Sequence, residues 1–71
     1  MADTRKQLME KIDSQRANIR LHIKKYDAFK KNGDYTSSAE ATIGSNQATI
    51  RSLKSKDKSI DSSFEDDWTP T

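Results

Sequence analysis

His22 is the only histidine in a chain that has no cysteine. Acid–base chemistry near neutral pH therefore has one candidate group, and thiol or zinc chemistry has none. The imidazole stands one helical turn from Asn18 and Tyr26, on the border of an apolar stripe. That setting fits a half-buried structural residue better than a general base. Glu65, Asp66 and Asp67 are adjacent carboxylates, but they lack the spaced ligands and turn glycine of a calcium loop. The chain has no glycine-rich phosphate loop, no paired-histidine metal spacing and no serine-elbow motif. Seventy-one residues are also too few to enclose a cleft of ordinary ligand size. The expectation is a non-enzyme with no cofactor, no metal and no small-molecule substrate.

Binding chemistry has more to work with. Lys6, Arg20, Lys24 and Lys31 fall along one flank of a helix, with Arg16 on its apolar side. Arg16, Arg20, Lys24 and Lys31 are thus the candidates for phosphate contacts with a nucleic acid. Asp13 and Asp27 interrupt the ridge, and positive charge encircles the helix instead of forming one stripe. A reader helix also needs more than two helices to pose it in a groove. Nucleic acid is therefore the alternative expectation.

Protein recognition is the leading one. Phe64, Asp66, Asp67 and Trp68 interleave aromatics with like charge, the composition of a docking peptide that folds on binding. Aromatic anchors supply affinity, while carboxylates steer toward a basic site. The other reading of the same residues is that Phe64 and Trp68 fold back onto the open hairpin end near Leu8 and Met9. A second candidate surface is a ridge of small residues, Ala41, Gly44, Ala48 and Ser52. It would let another backbone approach closely, whether from a partner protein or a second copy.

These groups need helices to position them. Thr4-Arg5-Lys6-Gln7 matches a capping box, with Asp3 as an alternative cap. Leu8, Ile12, Ile19, Ile23 and Tyr26 then recur at steps of three, four or seven, which places them on one helical face. Asn32-Gly33-Asp34 ends that run with a C-terminal glycine and a new cap. Ser37-x-x-Glu40 offers a second start. From there Ala39, Ile43, Asn46, Ile50, Leu53, Asp57, Ile60 and Phe64 alternate steps of four and three, an unbroken heptad seam with polar residues at Asn46 and Asp57. Frequent Ser and Thr, and Gly44, weaken this second helix on its own.

Laid antiparallel about Gly33, the two stripes register: Tyr26 near Ala39 and Ile43, Ile19 near Asn46 and Ile50, Ile12 near Leu53, Leu8 near Ile60. The fold expected is all-α, an antiparallel two-helix hairpin of coiled-coil character over residues 1–60. Helix 1 spans about 4–31, the turn 32–34 and helix 2 about 35–60. Residues 61–71 change composition abruptly and are expected to form a short, disordered, flexible acidic tail.

Composition sets the remaining bounds. Hydrophobic residues make up 31% and charged residues 34% of the chain, so folding is marginal and self-association or a partner is expected to complete it. No stretch approaches the roughly 18 apolar residues needed to span a bilayer, and the N-terminus has no apolar leader region. The stripe of helix 1 lacks Trp and pauses at Gln15-Arg16, so no membrane surface is expected as a partner. A cytoplasmic location follows as the default. Residues 1–32 carry +5, residues 33–60 carry +1 and residues 61–71 carry −4, consistent with the total of +2. A basic front and an acidic tail attract each other, within one chain or between two.

Overall fold

The structure is a computed structural model that describes residues 4–70. The alternative cap Asp3 and the terminal Thr71 lie outside the described residues. Helix α1 runs Arg5–Lys31, α2 runs Ser37–Lys54 and the short α3 runs Phe64–Asp67. The first two form the antiparallel hairpin expected from the stripes, 46 Å along its longest axis and about 16 by 14 Å across.

Thr4 starts α1 through a complete capping box. Its hydroxyl accepts from the Gln7 N–H at 3.2 Å, and Gln7 Oε1 accepts from the Thr4 N–H at 3.0 Å. The helix stops at a left-handed glycine, Gly33, with φ +77°. Its N–H donates to the Lys30 carbonyl, and that of Asp34 donates to Phe29, so two of the last carbonyls of α1 are satisfied. Helix α2 takes Thr36 as its cap residue, not the Ser37 of the sequence motif. The Thr36 hydroxyl reaches Glu40 at 3.2 Å instead.

The core is a single seam. Ile12, Ile19, Ile43 and Ile50 are fully buried, joined by Leu8, Tyr26, Ala39 and Ile60. Met9, Ile23, Leu53 and Trp68 pack against it in part. Burial at 1.5–3 kcal/mol per large aliphatic side chain is the main force holding the two helices together.

Two expectations are corrected here. Helix α2 ends at Lys54 and not near residue 60. Ser and Asp side chains compete for the backbone in this stretch. Ser55 Oγ donates to the Ser52 carbonyl at 2.6 Å, and Asp57 Oδ1 accepts from both the N–H and the hydroxyl of Ser59. These bonds turn the chain around, and Ile60 enters the core from the returning segment. The second correction concerns residues 61–70, which do not trail away as a flexible tail. They fold back, form α3 and bury Glu65 and Asp66 against the hairpin.

Candidate binding groove

One side of the hairpin is a groove with a cationic lip. Arg16 and Arg20 are one turn apart on a flank of α1, and Gln47 and Lys54 are two turns apart on the flank of α2 that meets the same segment. The returning chain lies along this groove in the direction of α1. Asp57 pairs with Arg5, Asp66 with Arg16, Glu65 with Arg20, and Trp68 reaches Tyr26.

At the centre, Arg16 grips Asp66 with two parallel bonds, Nε to Oδ1 at 3.0 Å and Nη2 to Oδ2 at 2.8 Å. This fork-on-fork geometry is the strongest side-chain pairing available to a carboxylate. Lys54 Nζ adds a contact at 3.2 Å, and the Ser63 N–H donates to the same oxygen at 3.2 Å. The hydrogen bonds from Arg16 outweigh desolvation, and those from Ser63 and Lys54 add to them, so the Asp66 carboxyl falls from 3.8 to about 2. The same hydrogen bond raises Arg16, against the opposing effect of burial.

Glu65 is almost completely enclosed, at 2% exposure. Desolvation pushes its carboxyl upward, but bonds from the Ser63 hydroxyl and from Arg20 Nη1, the latter at 2.7 Å, overcome it and leave it lowered. Removing charges from water costs several kcal/mol per ion. The value of these pairs therefore lies in selecting one seating of the segment more than in net stability.

Two further contacts complete the recognition. Gln47 Nε2 donates to the backbone carbonyls of Glu65 and Trp68, at 3.1 and 2.7 Å. Trp68 meets Tyr26 edge to face, with ring centroids 5.0 Å apart and planes at 81°. Lys30 Nζ lies 6.0 Å from the same Tyr26 ring.

The structure divides the residues singled out from sequence. Asp66 and Trp68 face the groove, so the expected outward-facing docking peptide is split: only Phe64, 65% exposed, and Asp67 point to solvent. Trp68 does fold back, but against Tyr26 and not at the end near Leu8 and Met9. Ala41, Gly44, Ala48 and Ser52 are exposed together on the outer face of α2. Of the candidate phosphate contacts, Arg16 is buried on Asp66 and Arg20 is paired with Glu65, while Lys24 and Lys31 are exposed. His22 is half-buried with Nδ1 2.9 Å from the Asn18 carbonyl, a local structural bond. Gln47, Lys54 and Tyr26 were not foreseen as groove residues. The opposite charges of residues 1–32 and 61–71 pointed to Arg16 and Arg20 as partners of the acidic segment, and no pattern in the sequence pointed to these three.

Among the described residues there is no pocket, and no group of three or more His, Cys, Asp or Glu is placed to hold a metal. No helix of the described residues is long and apolar enough to cross a membrane. No protein-family model, curated protein or solved structure matches the chain.

Proposed function

We propose that this chain is a small protein-binding module that acts without turnover, as an adaptor, inhibitor, immunity or assembly factor. The observation that carries the reading is the groove. It already holds an acidic-aromatic segment by paired carboxylates, by main-chain carbonyls and by an edge-on aromatic contact. Those are the elements by which folded domains read peptides. The exposed ridge Ala41, Gly44, Ala48, Ser52 and the outward Phe64 and Asp67 extend the surface such a module offers. A cytoplasmic setting belongs to the same reading, in keeping with a chain that carries no cysteine.

The second reading is a small basic regulator of nucleic acid using helix α1. Exposed Lys24 and Lys31 favour it. Occupation of Arg16 and Arg20 by the chain's own carboxylates counts against it.

Fluorescence anisotropy separates the two. A labelled peptide with the sequence of residues 58–70 is titrated with the wild type and with Asp66→Ala, whose own segment competes less well. Tighter binding by Asp66→Ala, by about tenfold or more, is expected. No binding of the peptide to either protein would reject the groove as a recognition site. A labelled oligonucleotide whose binding falls steeply with salt would favour the second reading.

A further inference from the structure

Asn32 and Gly33 end α1, and for the fold they need only turn the chain. An asparagine followed by glycine also holds both reactants of an intramolecular acyl transfer. The side-chain amide carbon, Cγ, is the electrophile, and the backbone nitrogen of the next residue is the nucleophile. They are tethered at a spacing that closes a five-membered ring, which replaces an encounter by a rotation. Glycine has no Cβ to obstruct the approach.

The chain has three asparagines, and the structure places them differently. Asn18 lies inside α1 ahead of the fully buried Ile19, with its carbonyl 2.9 Å from His22 Nδ1. Asn46 lies inside α2, and its Nδ2 is enclosed without a hydrogen-bond partner among the described residues. At either position, turning the backbone breaks the helical ladder on both sides. Asn32 is exposed and follows the last residue of α1.

Asn32 rests at φ −86° and ψ −2°, and rotation about its Cα–C bond carries the Gly33 nitrogen toward Cγ. Two turn bonds oppose that rotation. The Gly33 N–H donates to the Lys30 carbonyl at 3.2 Å, and the Asp34 N–H donates to the Phe29 carbonyl at 2.8 Å. Gly33, at φ +77°, has nothing within 4 Å of where a Cβ would stand, so it can absorb the compensating movement.

From these facts we infer that Asn32 is a self-modifying site, converted through a cyclic imide with Gly33 into aspartate and isoaspartate. Hydroxide takes the Gly33 amide proton, and the nitrogen attacks Cγ of Asn32. The bond from Cγ to the side-chain nitrogen breaks, and that nitrogen leaves as ammonia after taking a proton from water. Water then adds to one of the two ring carbonyls. Cleavage of the bond from nitrogen to Cγ gives aspartate, and cleavage at the main-chain carbonyl gives isoaspartate. The sum is one water consumed and one ammonia released.

Either product sets a carboxylate at the negative end of the α1 dipole and lowers the net charge of +2 by one. Isoaspartate also lengthens the main chain by a methylene within the turn that joins α1 to α2. The hairpin therefore ages at its closed end. This chemistry is independent of the groove and of what the groove binds.

The test is peptide mapping by mass spectrometry of the full chain, held at mildly alkaline pH in native buffer and in urea. In native buffer Asn32 is expected to exchange its NH2 for OH, taking one oxygen from heavy-oxygen water. Its rate should rise in proportion to hydroxide, and an isoaspartyl methyltransferase should label the product. Asn18 and Asn46 should stay intact. Asn32→Gln, which would have to close a six-membered ring, should stay unlabelled. The aged wild type should melt below the fresh chain, whereas aged and fresh Asn32→Gln should melt alike.

A folded chain that keeps Asn32 intact over the time in which the chain in urea converts it overturns the inference, since the turn would then protect the site. Conversion of Asn18 or Asn46 as fast as Asn32 in native buffer overturns it too, because the selectivity would not come from the turn. A wild type converted at Asn32 that melts like the fresh chain would overturn the consequence for the hairpin.

Discussion

The Asp66 carboxylate lies in the guanidinium fork of Arg16, fifty residues earlier in the chain, at 2.8 and 3.0 Å. One pair thus ties the last helical turn to the middle of the first helix. Both side chains are nearly inaccessible, at 4% and 11% exposure. Breaking one partner of such a pair leaves the other buried and uncompensated, at about 3–5 kcal/mol. The segment has a cheaper response, which is to leave the groove. Asp66→Ala is expected to red-shift Trp68 emission and open it to quenchers, while helical circular dichroism stays close to wild type. An unchanged Trp68 spectrum would mean that the pair does not seat the segment.

The same pair makes seating depend on acid. The carboxylate is stabilised in the folded form, so its contribution is complete above the ordinary 3.8 and disappears as pH falls through about 2. A shift of this size corresponds to roughly 2 kcal/mol at 1.36 kcal/mol per unit. Trp68 fluorescence followed from neutral pH downward should hold until below pH 4 and then report release. Arg16→Met should abolish that dependence, with Trp68 emission already red-shifted at neutral pH, because the bond from Arg16 is the main cause of the lowered carboxyl. Identical acid profiles for the two proteins would count against the assignment.

The seam should be far less forgiving than the groove. Ile19 and Ile50 are wholly buried, so replacing either by Ala removes apolar contact and leaves a cavity, at about 2–4 kcal/mol. For a domain of this size that loss approaches the total stability. Thermal melts followed by circular dichroism should show both variants largely unfolded at room temperature or melting many degrees lower. Wild-type melting in both would place the two side chains outside the core.

The two glycines should respond in opposite ways to Ala. A Cβ on Gly44 meets nothing within 4 Å, so Gly44→Ala should stabilise α2 by up to about 1 kcal/mol. Gly33 has as much space but a φ of +77°, so Gly33→Ala should destabilise by about 1–2 kcal/mol. Urea midpoints moving apart in these directions are the expected result. A destabilised Gly44→Ala chain would indicate that the outer face of α2 is already covered.

The hairpin was legible because its signals are local and agree with one another. A capping box at Thr4, a left-handed glycine at position 33 and isoleucines at helical spacing all specify the same register. Helix α2 was drawn too long because the heptad continues past Lys54, whereas Asp57 and Ser59 bond to each other and turn the chain. Periodicity measures which face a helix would bury, not whether side chains nearby offer the backbone another partner. The groove was legible only as a charge imbalance between the two ends of the chain. Pairing Arg16 with Asp66 or Gln47 with the carbonyls of residues 65 and 68 needs the returning path, and no short-range pattern encodes that path.

Gln47 spends its amide on two main-chain carbonyls, which are present whatever side chains stand at residues 65 and 68. Part of the grip on the segment is therefore blind to sequence. Phe64 and Asp67, facing outward, are free to drift in a diverging lineage without unseating it. The constraint falls instead on couples far apart in the chain, 16 with 66, 20 with 65 and 26 with 68, where one member can change only if the other follows. Kinship to this protein would then be written in correlated exchanges between the first helix and the closing segment, and would be faint in any residue-by-residue count of identity.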